Sequence, residues 1–185
     1  MGSLSFICGG VRSGKSAYAE KLAAKYYQQY QRNIYYLASG VAFDEEMKRR
    51  IARHQEERNQ TNIPWQTVEM IENLPTLSLT QGDIILWDCV TTWLNNVLFA
   101  TEQLEENVRL ENIHSFIQSF QKNVLEWVNS GVKVILVSNE LLDELPLDFE
   151  EVKLYRKLLG TLHQWIVSHS DEAYELDYSI CVRRK

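Results

Sequence analysis

The stretch Ser5-Phe6-Ile7-Cys8-Gly9-Gly10-Val11-Arg12-Ser13-Gly14-Lys15-Ser16 joins a short apolar run to a segment suited to a helix. Gly9, four further residues and then Gly14-Lys15-Ser16 complete the pattern G-x-x-x-x-G-K-[ST] of a phosphate-binding loop. The glycines permit backbone conformations that a Cβ would block, so successive N–H groups can turn inward around a phosphate. Lys15 places positive charge on the β- and γ-phosphates, and the Ser16 hydroxyl is a ligand type for Mg²⁺. After the loop, Ala17, Ala19, Leu22, Ala23 and Tyr26 suit a helix, whose N-terminal dipole favours the same anion. The alternative is a glycine-rich strand-to-helix turn with no ligand. An apolar strand before and a helical segment after are the context in which the loop binds nucleotide phosphate.

Composition sets the outer bounds. A chain of 185 residues is read as one domain, 1–185, long enough to bury a sizeable core. Its formal net charge of −6 gives no support to a general nucleic-acid binder. No apolar run approaches the roughly 20 residues of a membrane span, and the short N-terminal apolar segment runs straight into the loop instead of forming a signal peptide. Cys8, Cys89 and Cys181 are far apart and show neither C-x-x-C nor zinc spacing. They read as reduced core thiols of a cytoplasmic protein.

Strands and helices alternate along the chain. Residues 4–8 form the first expected strand and 14–30 the first helix. Residues 33–38 are a second β-like run, broken by Ser39-Gly40, and residues 43–59 are dense in charge and helical in propensity. Pro64 opens a strand over 65–69, and the turn Gln81-Gly82-Asp83 leads to Ile84-Ile85-Leu86-Trp87-Asp88. Residues 91–100 suggest a short buried helix. Ile113, Phe116, Ile117, Phe120, Val124, Trp127 and Val128 recur at helical spacing within 106–129, which Gly131 ends as a C′ glycine. Residues 132–138 read as a strand covered on both faces. A helix to about 168 and strands at 173–178 and 180–183 follow. The pattern is that of an α/β domain with a mostly parallel sheet.

Three regions carry further chemistry. Asp88 ends an apolar strand, where P-loop enzymes place a second acidic group to hold Mg²⁺, and this is the favoured reading; the alternative is a cap of the helix that follows. Asn139 and Glu140 follow the strand at 132–138, at the edge where open α/β sheets bind ligands, although loop polarity alone also explains them. Ahead of both in the chain lies Met47-Lys48-Arg49-Arg50-Ile51-Ala52-Arg53-His54-Gln55-Glu56-Glu57-Arg58. On a helix, Arg50 and Arg58 flank His54 at i−4 and i+4. Two guanidiniums disfavour the protonated ring and can clamp a phosphate, leaving a neutral nitrogen as a nucleophile. The other reading packs His54 against the sheet with Met47 and Ile51 and pairs the arginines with Glu46 or Glu57 on a solvated helix. His114, His163 and His169 have no comparable surroundings and default to structural or surface roles.

Several motifs occur in one order: the loop at Gly9 to Ser16; Asp44-Glu45-Glu46-Met47; Arg50-Ile51-x-x-His54-x-x-x-Arg58; Trp65-x-Thr67-x-Glu69; Asp88-Cys89-Val90-Thr91-x-Trp93-Leu94-x-Asn96; and Val137-Ser138-Asn139-Glu140. Together they resemble the bifunctional adenosylcobinamide kinase / adenosylcobinamide-phosphate guanylyltransferase family of cobalamin assembly, over roughly residues 4–140. The resemblance implies a RecA-like P-loop fold, a homotrimer, and two reactions. GTP or ATP phosphorylates a corrinoid side-chain hydroxyl, and GMP is then transferred to that phosphate through a GMP–histidine intermediate. The family's histidine matches His54. Its nucleotide contacts carry over to Gly9, Gly10, Val11, Arg12, Ser13, Gly14, Lys15 and Ser16, to Ser39, Gly40 and Val41, to Gln55, Glu56, Glu57 and Arg58, and to Glu69 and Asp88. Mg²⁺ falls to Ser16 and Asp88.

The C-terminal quarter departs from that pattern. Leu141-Leu142-Asp143-Glu144-Leu145-Pro146 stands where the family resembles Val-Gly-x-Gly-Ile-Val-Pro, Gly160-Thr161-Leu162-His163-Gln164 replaces Gly-x-x-Asn-Gln, and Tyr178-Ser179 occupies an expected glycine turn. Fewer glycines change how closely the backbone can approach a ligand, which bears on corrinoid recognition and the kinase step more than on nucleotide binding. Two alternatives stay open at this point: another small-molecule P-loop kinase with a structural His54, or a nucleotide-binding protein derived from the enzyme.

Overall fold

The computed structural model describes residues 1–40, 49, 52, 55, 56, 58, 60–140 and 149–185. The apolar runs become strands β1 (Ser3–Gly9), β2 (Ile34–Ala38), β3 (Trp65–Glu69), β4 (Ile84–Asp88), β5 (Lys133–Asn139), β6 (Glu172–Asp177) and β7 (Ile180–Arg183). The helices are α1 (Lys15–Tyr30), α2 (Val90–Thr101), α3 (Glu106–Asn129) and α4 (Glu150–His169). Within the expected helix at 43–59, the described residues 49, 52, 55, 56 and 58 are helical. The remainder of that expectation, including Asp44 to Met47, Arg50, His54 and Glu57, lies outside the described residues, as do Val41 and residues 141–148.

Among the described residues the strands form one sheet in the order β3-β2-β4-β5-β1-β6-β7, parallel throughout except for the terminal β6–β7 hairpin. Period-2 alternation divides its side chains between two layers. Ile7, Ile34, Tyr36, Ile84, Leu86, Ile135 and Val137 pack with Ala19 and Ala23 of α1. On the opposite face Phe6, Leu37, Ile85, Trp87, Val134 and Leu136 meet α2, α3 and α4, where Trp87 sits within a cluster of Trp93, Phe120 and Trp127. Strands buried on both faces explain the uninterrupted apolar runs at 84–87 and 134–137. No helix of the described residues is long and apolar enough to cross a membrane.

Helix α3 ends as its sequence dictates. Gly131 (φ 93°) donates to the Val128 carbonyl at 3.0 Å, and Val132 donates to Trp127 at 3.0 Å, the paired bonds of a Schellman motif. His163 of α4 is buried, its Nε2 lies 2.7 Å from the Ser138 hydroxyl, and burial lowers its pKa to about 4. The structural role expected for it holds. The shared expectation for the three cysteines does not: Cys89 is buried and Cys8 partly buried, but Cys181 is exposed. The reason is that β7 is an edge strand whose four residues are all exposed.

Candidate functional site

Parallel pairing brings five strand ends to one edge. Gly9 of β1 is in register with Asn139 of β5, and Ala38 of β2 is flanked by Glu69 of β3 and Asp88 of β4. A cleft opens at this edge, lined by Lys15 and Ser16, by Tyr36, Ala38 and Gly40, by Gln55 and Arg58, by Thr67 and Glu69, by Asp88, Cys89 and Thr92, and by Asn139.

The loop from Gly9 to Gly14 leads directly into Lys15 and Ser16 of the cleft lining. Gly14 (φ 90°) caps α1 with no side-chain bond, and the first turn of α1 holds no acidic residue, so the positive end of the helix dipole is uncompensated. Lys15 is buried and its Nζ donates to the Gly10 carbonyl at 3.0 Å, across the mouth of the loop. Ser13 is buried with its hydroxyl unpaired among the described residues. Val11 and Arg12 are exposed on the outer turn, with Arg12 in the left-handed region at φ 61°.

The loop is braced from behind by the β6–β7 hairpin. A Cβ on Gly9 would lie 2.2 Å from the Leu176 carbonyl oxygen, and the Ser179 amide donates to the Ser13 carbonyl at 2.9 Å. Cys8, beside the loop, has its thiol pushed up to about 11, chiefly by burial and then by the charges of Glu140 and Glu175. It is therefore a protonated thiol near neutrality.

Opposite the loop, Asp88 accepts a hydrogen bond from the Tyr36 hydroxyl at Oδ2 (3.2 Å). It does not cap α2, whose N-cap is Cys89 without a side-chain bond, so the capping alternative is set aside. Arg58 is 4% exposed, its guanidinium bonded to Glu20 of α1 at 3.0 Å and lying 3.7 Å from the Tyr36 ring centroid. Pairing on a solvated helix face is thus corrected for Arg58, because its partner comes from α1 and the pair is desolvated.

A protein-family model described as "Cobinamide kinase / cobinamide phosphate guanyltransferase" matches residues 5–180. The chain belongs to this family. The bifunctional adenosylcobalamin biosynthesis protein CobU of Salmonella typhimurium is 30% identical, over 97% of this chain and 98% of that one. CobU of Escherichia coli is 27% identical over the same shares, and the protein CobP of Pseudomonas aeruginosa is 34% identical over 89% of this chain and 87% of its own. Among solved structures, a KaiC-like protein of Pyrococcus horikoshii superposes with a TM-score of 0.49 at 13% identity, over 99% of this chain and 78% of that one. Membership of the cobinamide kinase/guanyltransferase family makes the chain a nucleotide-handling transferase of cobalamin biosynthesis.

For this family member the structure brings Lys15, Ser16, Gly40, Gln55, Arg58, Glu69 and Asp88 to one cleft. Ser39 is not among them: it is fully buried, its hydroxyl accepting from Trp87 Nε1 at 2.7 Å and its carbonyl from Asn96 Nδ2 at 3.0 Å. It anchors the turn that presents Gly40. Glu56 is exposed and does not line the cleft. Val41, His54 and Glu57 lie outside the described residues. Tyr36 and Thr92 line the cleft without any mark in the sequence motifs, Thr67 lines it from within the motif Trp65-x-Thr67-x-Glu69, and Glu20 holds Arg58. The signal for Tyr36 and Thr67 was period 2, since each stands two residues before a strand-end residue of the cleft.

Proposed function

We propose that this cleft binds GTP or ATP with Mg²⁺ and that the chain carries out both family reactions. It phosphorylates the side-chain hydroxyl of adenosylcobinamide, then transfers GMP from GTP to the resulting phosphate to give adenosylcobinamide-GDP. The observation that carries the reading is the meeting of Lys15, Ser16, Glu69 and Asp88 at one sheet edge in a member of this family.

The residues fit the ligands. An uncapped helix N-terminus, the Ser13 hydroxyl without a partner and the Lys15 ammonium form a cradle for phosphates. Ser16 and Asp88 are hard oxygen donors of the kind Mg²⁺ takes, usually alongside nucleotide phosphate and water. Bound there, Mg²⁺ supplies Lewis-acid polarisation of phosphoryl oxygens. Lys15 offsets charge on the β- and γ-phosphates, and Gly40, Gln55 and Glu69 border the remainder of the nucleotide.

In the guanylyl half-reaction an imidazole nitrogen of His54 attacks the α-phosphorus of GTP. The bond from that phosphorus to the bridging oxygen breaks, and pyrophosphate leaves. An oxygen of the corrinoid phosphate then attacks the same phosphorus, breaking the N–P bond and freeing His54. The same reading has the chain acting as a homotrimer in the cytoplasm, on a small corrinoid substrate and not on nucleic acid.

Intact-mass measurement after incubation with GTP and Mg²⁺ tests the covalent step. The expected result is a GMP adduct that is acid-labile, as a phosphoramidate is, and absent from His54→Ala. Kinase activity should survive in that variant, because γ-phosphoryl transfer needs no histidine intermediate. Turnover of GTP onto adenosylcobinamide phosphate with no adduct at any time, or an adduct persisting in His54→Ala, overturns the mechanism.

A further inference from the structure

Tyr36 lies on β2 two residues before its end, 8% exposed, on the face covered by α1. Its ring is held from two directions. The Arg58 guanidinium stacks at 3.7 Å from the centroid, and Trp65 meets the ring edge-on at 6.3 Å and 82°. Arg58 is itself fixed by Glu20 at 3.0 Å. A ring packed this way has little freedom to turn, so its hydroxyl has a set direction. That direction is across one strand spacing to Asp88 Oδ2, at 3.2 Å. The phenol hydroxyl donates this bond and the carboxylate, which has only acceptor atoms, receives it. The second carboxylate oxygen, Oδ1, accepts no bond among the described residues.

We propose that Tyr36 is a positioning residue for the metal: its hydroxyl occupies Oδ2 of Asp88 so that Oδ1 is the oxygen presented to the Mg²⁺ of the bound nucleotide. The inference rests on Asp88 being the metal-side carboxylate, as argued above. Without the Tyr36 hydroxyl the carboxylate rotates among several orientations, and only some of them ligate. Outer-sphere partners of this kind change metal affinity about 10–100-fold when removed. The ring, by contrast, serves Arg58 and is retained in phenylalanine.

The test uses Mn²⁺ as the probe. Free Mn²⁺ is read by electron paramagnetic resonance in the presence of a saturating non-hydrolysable GTP analogue, for wild type, Tyr36→Phe, Asp88→Asn and the double variant. Tyr36→Phe is expected to weaken Mn²⁺ binding on the order of tenfold, while affinity for the analogue in EDTA stays at the wild-type value. That second value also certifies the fold of the variant. In the Asp88→Asn background the same substitution should have no further effect, because its route runs through the carboxylate. Wild-type Mn²⁺ affinity in Tyr36→Phe, or an equal loss with and without Asp88, overturns the proposal. Wild-type Mn²⁺ affinity in Asp88→Asn overturns the metal reading of Asp88 and the role of Tyr36 with it. A loss in Asp88→Asn and none in Tyr36→Phe removes the Tyr36 role alone.

Discussion

Gly9 and Gly10 are adjacent in one loop, yet the fold asks different things of them. A Cβ on Gly9 would meet the Leu176 carbonyl oxygen at 2.2 Å and the Ser13 hydroxyl at 2.7 Å, so the loop would have to part from β6. A Cβ on Gly10 meets nothing within 4 Å. Gly9→Ala is therefore expected to cost about 1–3 kcal/mol of stability through overpacking, and Gly10→Ala less than about 0.5 kcal/mol. Urea unfolding of the two variants measures this; equal effects would mean that the loop does not depend on its contact with β6. The loop pattern made both glycines legible but could not rank them, because the deciding atom belongs to a strand near the other end of the chain. Ser39 failed to read correctly for a similar reason. A serine in a strand-to-loop turn faces ligand or core according to what lies beneath, and here the Trp87 indole takes its hydroxyl.

At the scale of elements, β3, β4 and α3 were legible to the residue because the sequence punctuates them. Pro64 precedes β3, the Gly82-Asp83 turn precedes β4, and Gly131 supplies the left-handed residue that closes α3. The β6–β7 turn has no such mark. Tyr178 (φ 46°) and Ser179 (φ 63°) are both left-handed, as in a type I′ hairpin, so the backbone keeps the conformation that glycine would have supplied. Each L-residue there costs roughly 1–2 kcal/mol. Tyr178→Asn with Ser179→Gly is thus expected to stabilise the chain by about 1 kcal/mol or more, since both residues enter this region readily. The Ser179 amide still reaches Ser13, so the loop should hold nucleotide as before. Chemical denaturation and a nucleotide titration check the two halves; a loss of stability would show that the Tyr178 or Ser179 side chain contributes more than its backbone costs.

Across the whole molecule, alternating strands and helices announced a mostly parallel sheet, and a parallel sheet gathers its strand ends at one edge. That logic puts Asp88, Asn139 and Glu140 at the same edge as the loop bearing Lys15 and Ser16, whereas Glu69 is marked in the sequence only by the family resemblance. It could not show that Glu20, Arg58, Tyr36 and Asp88 connect α1 to the carboxylate side of the cleft, since those contacts cross four segments of chain. A cleft assembled from both sides of the sheet edge should stabilise the fold when filled. Ligand at 100 times its dissociation constant adds about 2.7 kcal/mol, which for a chain of this length raises Tm by roughly 5–10 °C. With GTP and Mg²⁺ the wild type should show that rise, and EDTA should reduce it by removing the metal from the phosphates. In Asp88→Asn the rise should sit at the EDTA level whether or not Mg²⁺ is present, because the lost charge is the protein's share of the metal site. Lys15→Ala should lose most of the rise under either condition, its charge-assisted contact being worth roughly 1.5–3 kcal/mol. A thermal melt of the three proteins, each with GTP, with GTP and Mg²⁺, and with EDTA added, separates the contributions. If Lys15→Ala keeps the full rise, nucleotide is held elsewhere; if Asp88→Asn responds to EDTA as the wild type does, Mg²⁺ is held without Asp88.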